Sequence, residues 1–161
     1  MCLFFDAFPF ESGEGLEEDE ALRVKQWNII LTTLMDPVPL VRSIAVQGTC
    51  QVLTEYWDLI PVNIIQEFIT CMFRKLLYDS SSPDVRTSVV KGMCSMLDNK
   101  QTHALLEKMV PLTSKVLHDI NEKVRAEYVS LLTRIQSLRV SKLWEVSASF
   151  EIISAAPNNC H

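Results

Sequence analysis

Three times along this 161-residue chain an aspartate is followed by a short polar or proline-containing gap, then by Val-Arg at the head of an apolar-periodic run. The copies are Asp36 with Val41-Arg42, Asp79 with Val85-Arg86, and Asp119 with Val124-Arg125. The arginines stand 44 and then 39 residues apart, against a usual period of roughly 40 to 47 for units built of two stacked helices. The first two copies also agree downstream, where Val46, Gly48, Cys50, Val52 and Leu53 hold the same offsets as Val90, Gly92, Cys94, Met96 and Leu97. The third keeps Val129 and Ile135 but has Leu131 and Thr133 where glycine and cysteine stood. A unit of this size cannot bury its apolar face alone, so neighbours must stack, and the product is an extended surface rather than a closed cleft. The pattern predicts an all-α, HEAT-like solenoid fragment of about three antiparallel helix pairs.

The pairs can be placed residue by residue. Trp27, Ile30, Leu31 and Leu34 lie at i, i+3, i+4 and i+7, one stripe of a helix over about 19–35 that Pro37 and Pro39 end. Asp36 is positioned to cap the turn that follows, and Val41, Ala45, Val46, Thr49 and Val52 give the next helix a buried face to about Tyr56. Pro61 suits the first turn of the third helix, where a missing N–H costs nothing. Ile64, Ile65, Phe68, Ile69, Met72, Phe73, Leu76 and Leu77 then recur as doublets, a face wide enough to bury on two sides. Ser82 as N-cap and Pro83 at N1 open its partner, which runs through Val85 to Leu97. Gly48 and Gly92 sit inside helices, where each is unfavourable by about 1 kcal/mol relative to alanine; a glycine repeated at one register points to close helix approach. In the third pair Leu105, Leu106 and Met109 are helical, Pro111 should kink the chain, and Asn121 caps a helix over 122–138. The domain reading is therefore an acidic, disordered leader over 1–18, repeats over 19–146 (pairs 19–56, 61–97 and 100–138) and an irregular tail over 147–161.

Charge is divided unevenly. Residues 1–20 hold seven acidic side chains and no basic one, while the remainder carries 15 basic against 13 acidic. The leader reads as a solvated segment whose acids favour the positive end of the first helix. No apolar run approaches the roughly 18 to 20 residues of a membrane span, and Met1-Cys2-Leu3-Phe4-Phe5 lacks the basic start and cleavage pattern of a signal peptide. The expected setting is intracellular, with no membrane partner.

The repeated charges have a structural purpose. An aspartate at each turn can cap its own second helix, and an arginine in the first turn can bond turn carbonyls or the neighbouring unit's carboxylate. Asp36, Asp79 and Asp119 are expected to form a ladder with Arg42, Arg86 and Arg125; the competing reading makes the arginines a phosphate-binding row. Catalytic signals are weak. Cys2, Cys50, Cys71, Cys94 and Cys160 contain no Cys-x-x-Cys pair, and His103, His118 and His161 have no metal-ligand spacing with them. There is no glycine-rich phosphate loop and no nucleophile elbow. His118 and Asp119 are adjacent and diverge on a helix. No enzyme activity, cofactor or metal is expected.

One set of ordered local matches is more specific. Val41-Arg42-Ser43-Ile44-Ala45-Val46 with Tyr56-Trp57 and Ile60-Pro61, Asp98-Asn99-Lys100 with His103, Leu105-Leu106-Glu107 and Pro111, Leu117-His118-Asp119 with Glu122-Lys123-Val124-Arg125, and Lys142-Leu143-Trp144 together resemble the G-type HEAT subunits of condensin II over about residues 20–146. The resemblance implies a non-enzymatic nuclear, chromosomal subunit that binds the complex's kleisin chain and chromatin, DNA or histone tails. It would help an ATP-driven SMC motor compact and segregate mitotic chromosomes. On this reading Lys100, Lys108, Lys115, Lys123, Arg139 and Lys142 are the DNA or phosphate candidates, their bland alternative being a solvated face.

Family members are far longer, and beyond Trp144 the resemblance stops, so the chain reads as a truncated product or fragment. Its last unit has no polar cap, and Leu131, Leu132 and Ile135 are expected to expose an apolar face that favours self-association. Two other readings stay open: a HEAT adaptor of another complex, such as a transport receptor or phosphatase scaffold, and a non-functional truncated chain. A small hydrolase is disfavoured by the missing nucleophile.

Overall fold

Apolar residues at helical spacing, interrupted by proline, produce six α-helices in a computed structural model that describes residues 16–138, with side chains described from Asp19 onward. In chain order these are α1 (Leu16–Leu34), α2 (Pro39–Glu55), α3 (Val62–Thr70), α4 (Pro83–Met96), α5 (His103–Met109) and α6 (Glu122–Leu138). Among the described residues there is no strand. The leader residues up to 15, Arg139, Lys142, Trp144 and the tail over 147–161 lie outside the described residues.

The second helix of each pair forms the spine. α2 packs against α4, and α4 against α6, while α1 leans on α2 and touches α3 only lightly. One continuous core results, in which Leu34, Val46, Leu53, Phe68, Met72, Leu77, Val90, Met93, Leu106, Tyr128 and Ile135 are all fully buried. This is an all-α, HEAT-like helical repeat. Gly92 sits where α4 meets α2: a Cβ there would overlap Cys50 Sγ and stand 3.0 Å from Cys50 Cβ, so the absent side chain lets the two helices approach.

Two first helices are not regular. After α3 the chain widens into a π stretch over Cys71–Lys75, then tightens to a 3-10 turn over Leu76–Tyr78. The cause lies in the doublets. On a 3.6-residue helix a strict four-residue repeat drifts by about 40° per step, and a wider π turn removes that drift. Cys71, Met72, Phe73, Leu76 and Leu77 consequently all stay buried. In the third unit α5 ends at Met109 and Pro111 falls at the start of a nine-residue 3-10 stretch, Val110–His118. Proline lacks an N–H and crowds the carbonyl of residue i−4, so the α pattern cannot continue through it.

The start of α4 uses a different group from the one the spacing suggests, while Asp36 and Asn121 act where the spacing places them. Ser82 is the N-cap residue of α4, yet its side chain makes no capping bond. Instead Asp79 Oδ1 accepts the N–H groups of Ser81 and Ser82 at 2.8 and 3.1 Å. Val38 is the N-cap of α2, and Asp36 Oδ1 accepts its N–H at 2.8 Å, closing the turn rather than capping the helix. Asn121 Oδ1 accepts the Lys123 N–H at 2.9 Å.

Candidate functional site

The turns between paired helices line up along one edge of the stack, and the same arginine leaves the first turn of each second helix there. Each donates through NH1 to the main-chain carbonyl of its own turn's aspartate: Arg42 to Asp36 at 2.7 Å, Arg86 to Asp79 at 2.6 Å, Arg125 to Asp119 at 2.7 Å. The remaining nitrogens reach forward. Arg42 Nε donates to Asp79 Oδ2 at 3.0 Å, with NH2 2.9 Å from the same oxygen and 2.5 Å from Ser81 Oγ. Arg86 grips Asp119 with two donors, Nε to Oδ2 at 2.7 Å and NH2 to Oδ1 at 2.8 Å. Such two-point arginine–carboxylate pairing is both stronger and more directional than a single bond.

The geometry therefore runs one way along the stack: an arginine reads its own turn through a carbonyl and the next turn through a carboxylate. Among the described residues no arginine bonds the Asp36 carboxylate, and Arg125 bonds only the carbonyls of Asp119 and Ile120. Both ion pairs are largely shielded from water, with side-chain exposures of about a tenth. The Arg86 guanidinium holds the Asp119 carboxyl below its usual 3.8, against burial and helped by the Asn121 N–H and Arg125. For Asp79 burial pushes upward, but the Ser81 hydroxyl and N–H, Arg42 and the Ser82 N–H together hold it low. The Arg86 charge is reinforced by its bond to Asp119.

The opposite edge is tied as well. Asn99 Nδ2 donates to the Thr54 carbonyl at 2.8 Å, Gln101 Nε2 to Asp58 Oδ1 at 2.7 Å, and Arg134 NH2 to Asp98 Oδ1 at 2.5 Å. Inside the third unit Tyr128 Oη lies 2.9 Å from Thr113 Oγ1 and 3.2 Å from the Val110 carbonyl. The hydroxyl pair thus occupies polar groups beside the proline-broken helix. Burial pushes the Tyr128 hydroxyl up to about 12.

Other sequence candidates scatter. Lys100, Lys108, Lys115 and Lys123 are exposed, the first three along the first half of the third unit and Lys123 at the start of α6, and none forms an ion pair among the described residues. Arg139 and Lys142 lie outside the described residues. Cys50 and Cys71 are buried and Cys94 is half-buried; burial pushes the Cys50 thiol up to about 12. Among the described residues no group of three or more side chains could hold a metal ion, and no helix is long and apolar enough to cross a membrane. A groove of about 460 Å³ runs between α1 and α3, lined by Leu31, Met35, Gln66, Glu67, Cys71 and Lys75 among others.

One expectation fails. Leu131 and Ile135 do not form an open face on the last helix: both are 0% exposed, turned back onto the core, and Leu132 is half-buried. On α6 the exposed large apolar side chains are Val129 and Leu138. Ser81, which joins Arg42 to Asp79, was not singled out by the repeat because the turn serines have no counterpart in the other two copies.

The chain is similar to the protein named Condensin-2 complex subunit G2 in several vertebrates. It is 42% identical to the Danio rerio protein over 146 residues, 89% of this chain. To the Mus musculus protein it is 37% identical over 153 residues, 94% of this chain, and to the Homo sapiens protein 37% over 146 residues, 89% of this chain. The matched part is 13% of each relative, so the chain spans roughly an eighth of their length. No family model matches the chain, and no solved structure matches it significantly.

Proposed function

We propose, with the similarity to Condensin-2 complex subunit G2 as premise, that this chain is a non-catalytic scaffold segment of a condensin II regulatory subunit. In that role it binds the kleisin chain of the complex and chromatin, on chromosomes in the nucleus, and serves the SMC motor during mitotic condensation and segregation. The observation that carries the reading is identity of 37 to 42% spread over about nine-tenths of the chain. Physical support comes from the ladder. Shielded ion pairs that tie successive turns fix the angle between units, and a fixed angle is what an extended binding surface requires. Exposed Lys100, Lys108, Lys115 and Lys123 are the proposed phosphate contacts, with Arg139 and Lys142 beyond the described residues as further candidates.

The test is capture of a kleisin fragment by this chain, side by side with a full-length G2 subunit. Retention by both supports the proposal, and retention by the full-length subunit alone refutes kleisin binding by this segment. For DNA, a Lys108→Glu, Lys115→Glu double variant should weaken duplex binding and flatten its salt dependence by about two counterions. Unchanged affinity and slope would remove these two lysines.

A further inference from the structure

The turn of the second unit differs from its two counterparts in carrying hydroxyls. Asp36 is followed by Pro37, Val38 and Pro39, and Asp119 by Ile120 and Asn121, whereas Asp79 is followed by Ser80, Ser81, Ser82 and Pro83. The two ladder junctions differ accordingly. Arg86 takes both carboxylate oxygens of Asp119. Arg42 meets only Oδ2 of Asp79, because Oδ1 accepts the Ser81 hydroxyl at 2.6 Å together with the Ser81 and Ser82 N–H groups. Arg42 NH2 is shared between that Oδ2 and Ser81 Oγ, the latter at 2.5 Å. A serine oxygen thus stands at the arginine fork where the next junction places a second carboxylate oxygen.

This serine is also reachable. Ser81 is exposed, whereas Ser82 is buried, and of the three hydroxyls it is that of Ser81 that meets Arg42. It opens onto a hollow of about 410 Å³, whose titratable lining groups are Asp36, Arg42, Lys75, Tyr78 and Asp79. Lys75 is exposed and forms no ion pair among the described residues. Both carboxylates keep an oxygen on the N–H groups of their own turns, so the two cations are the groups placed to receive a new anion. Acids flank the serine in the chain as well: Asp79 stands two residues before it, and exposed Asp84 three residues after.

We propose that Ser81 is a phosphorylation site, modified by a protein kinase that recognises acidic flanks through a basic peptide-binding face, and that its phosphate is held in this hollow by Arg42 and Lys75. In the transfer Ser81 Oγ attacks the γ-phosphorus of a nucleoside triphosphate and gives its proton to the kinase's base. The Oγ–P bond forms as the bond to the β-phosphate oxygen breaks, and the nucleoside diphosphate leaves. The product carries about −1.5 to −2 of charge and strong acceptor oxygens. It can no longer donate to Asp79 Oδ1, and it offers Arg42 a second anion beside the carboxylate. The first junction thereby passes from a carboxylate pair assisted by a hydroxyl to a phosphate pair, a change that the second junction, with Ile120 and Asn121 in its turn, cannot undergo.

Incubating the full chain with magnesium ATP and a kinase selective for serine three residues before an acid, then mapping the peptides by mass, tests the site. Phosphate should appear on Ser81. Ser81→Ala should abolish it, and Asp84→Ala should slow it about tenfold through the loss of one charge-assisted contact to the kinase, with far-UV circular dichroism confirming that both variants keep their helices. Phosphorus NMR titration of the product tests the capture. The second pKa of the phosphate should lie below its ordinary value of about 6 in the folded chain, return to it in urea, and move back toward it in Lys75→Ala. A folded chain left unmodified, or modified only at Ser80 or Ser82, overturns the site, and modification undiminished in Asp84→Ala overturns the acidic recognition. A phosphate that titrates alike in the folded chain and in urea, or that Lys75→Ala leaves unmoved, overturns its capture by the two cations.

Discussion

Alanine in place of the ladder arginine, made separately in each unit, measures what the edge contributes, because the residue and its offset stay constant while its partners change. In Arg86→Ala the bidentate pair to Asp119 and the bond to the Asp79 carbonyl are both lost. Its partner carboxylate has a side-chain exposure of only 11%. Breaking a buried pair from one side costs about 3 to 5 kcal/mol, mostly through the charge left behind. Arg42→Ala strands Asp79, but the Ser81 hydroxyl and two turn N–H groups still serve that carboxylate, so about 3 kcal/mol is expected. Arg125→Ala strands no carboxylate and removes bonds to two carbonyls only, worth about 1 kcal/mol. Equilibrium urea unfolding followed by far-UV circular dichroism gives the order Arg86, Arg42, Arg125. A cost for Arg125→Ala equal to that for Arg86→Ala would refute the reasoning, since it would place the stabilisation in the turn carbonyls rather than the ion pairs. The pH dependence adds a check of sign. The folded Asp119 carboxyl lies below its usual 3.8, so its contribution is complete above that value and is lost as pH falls through the folded value. The penalty of Arg86→Ala should therefore shrink in acid.

Gly92→Ala should destabilise the chain by about 2 kcal/mol through overpacking against Cys50, and Cys50→Ala in the same chain should recover part of it in thermal melts; additive losses would contradict the contact. Above neutrality the signs reverse: Tyr128 is raised in the folded state to about 12 from 10, so its stabilisation is complete below pH 10 and is lost between pH 10 and 12, about 3 kcal/mol in all. Tyr128→Phe should cost about 1 kcal/mol at neutral pH by dropping the Thr113 and Val110 bonds, while flattening the alkaline loss in pH-dependent melts. Cys50, 1% exposed with its thiol pushed up to about 12, should react with a thiol reagent only on unfolding, later than half-buried Cys94; mass mapping of the labelled peptides reads the order.

Much of this architecture is local in origin. Apolar spacing, Pro39 and Pro83 at helix starts and the recurrence of Asp with Val-Arg specify helix pairs and their period, because periodicity and φ restriction act within a few residues. The π stretch over Cys71–Lys75 was not legible, since it answers to the core that both halves of the doublet row must reach. The direction of the ladder also lay beyond the chain's own order: whether an arginine bonds its own aspartate or the next depends on how far one unit is displaced over another. Burial of Leu131 and Ile135 against exposure of Val129 was decided in the same way, by which side of α6 the neighbouring α4 covers. Sequence alone determined that this protein is a row of similar helix pairs carrying matched charges at their turns. Only packing between units decided which charges meet, because that outcome depends on distances between segments some 40 residues apart.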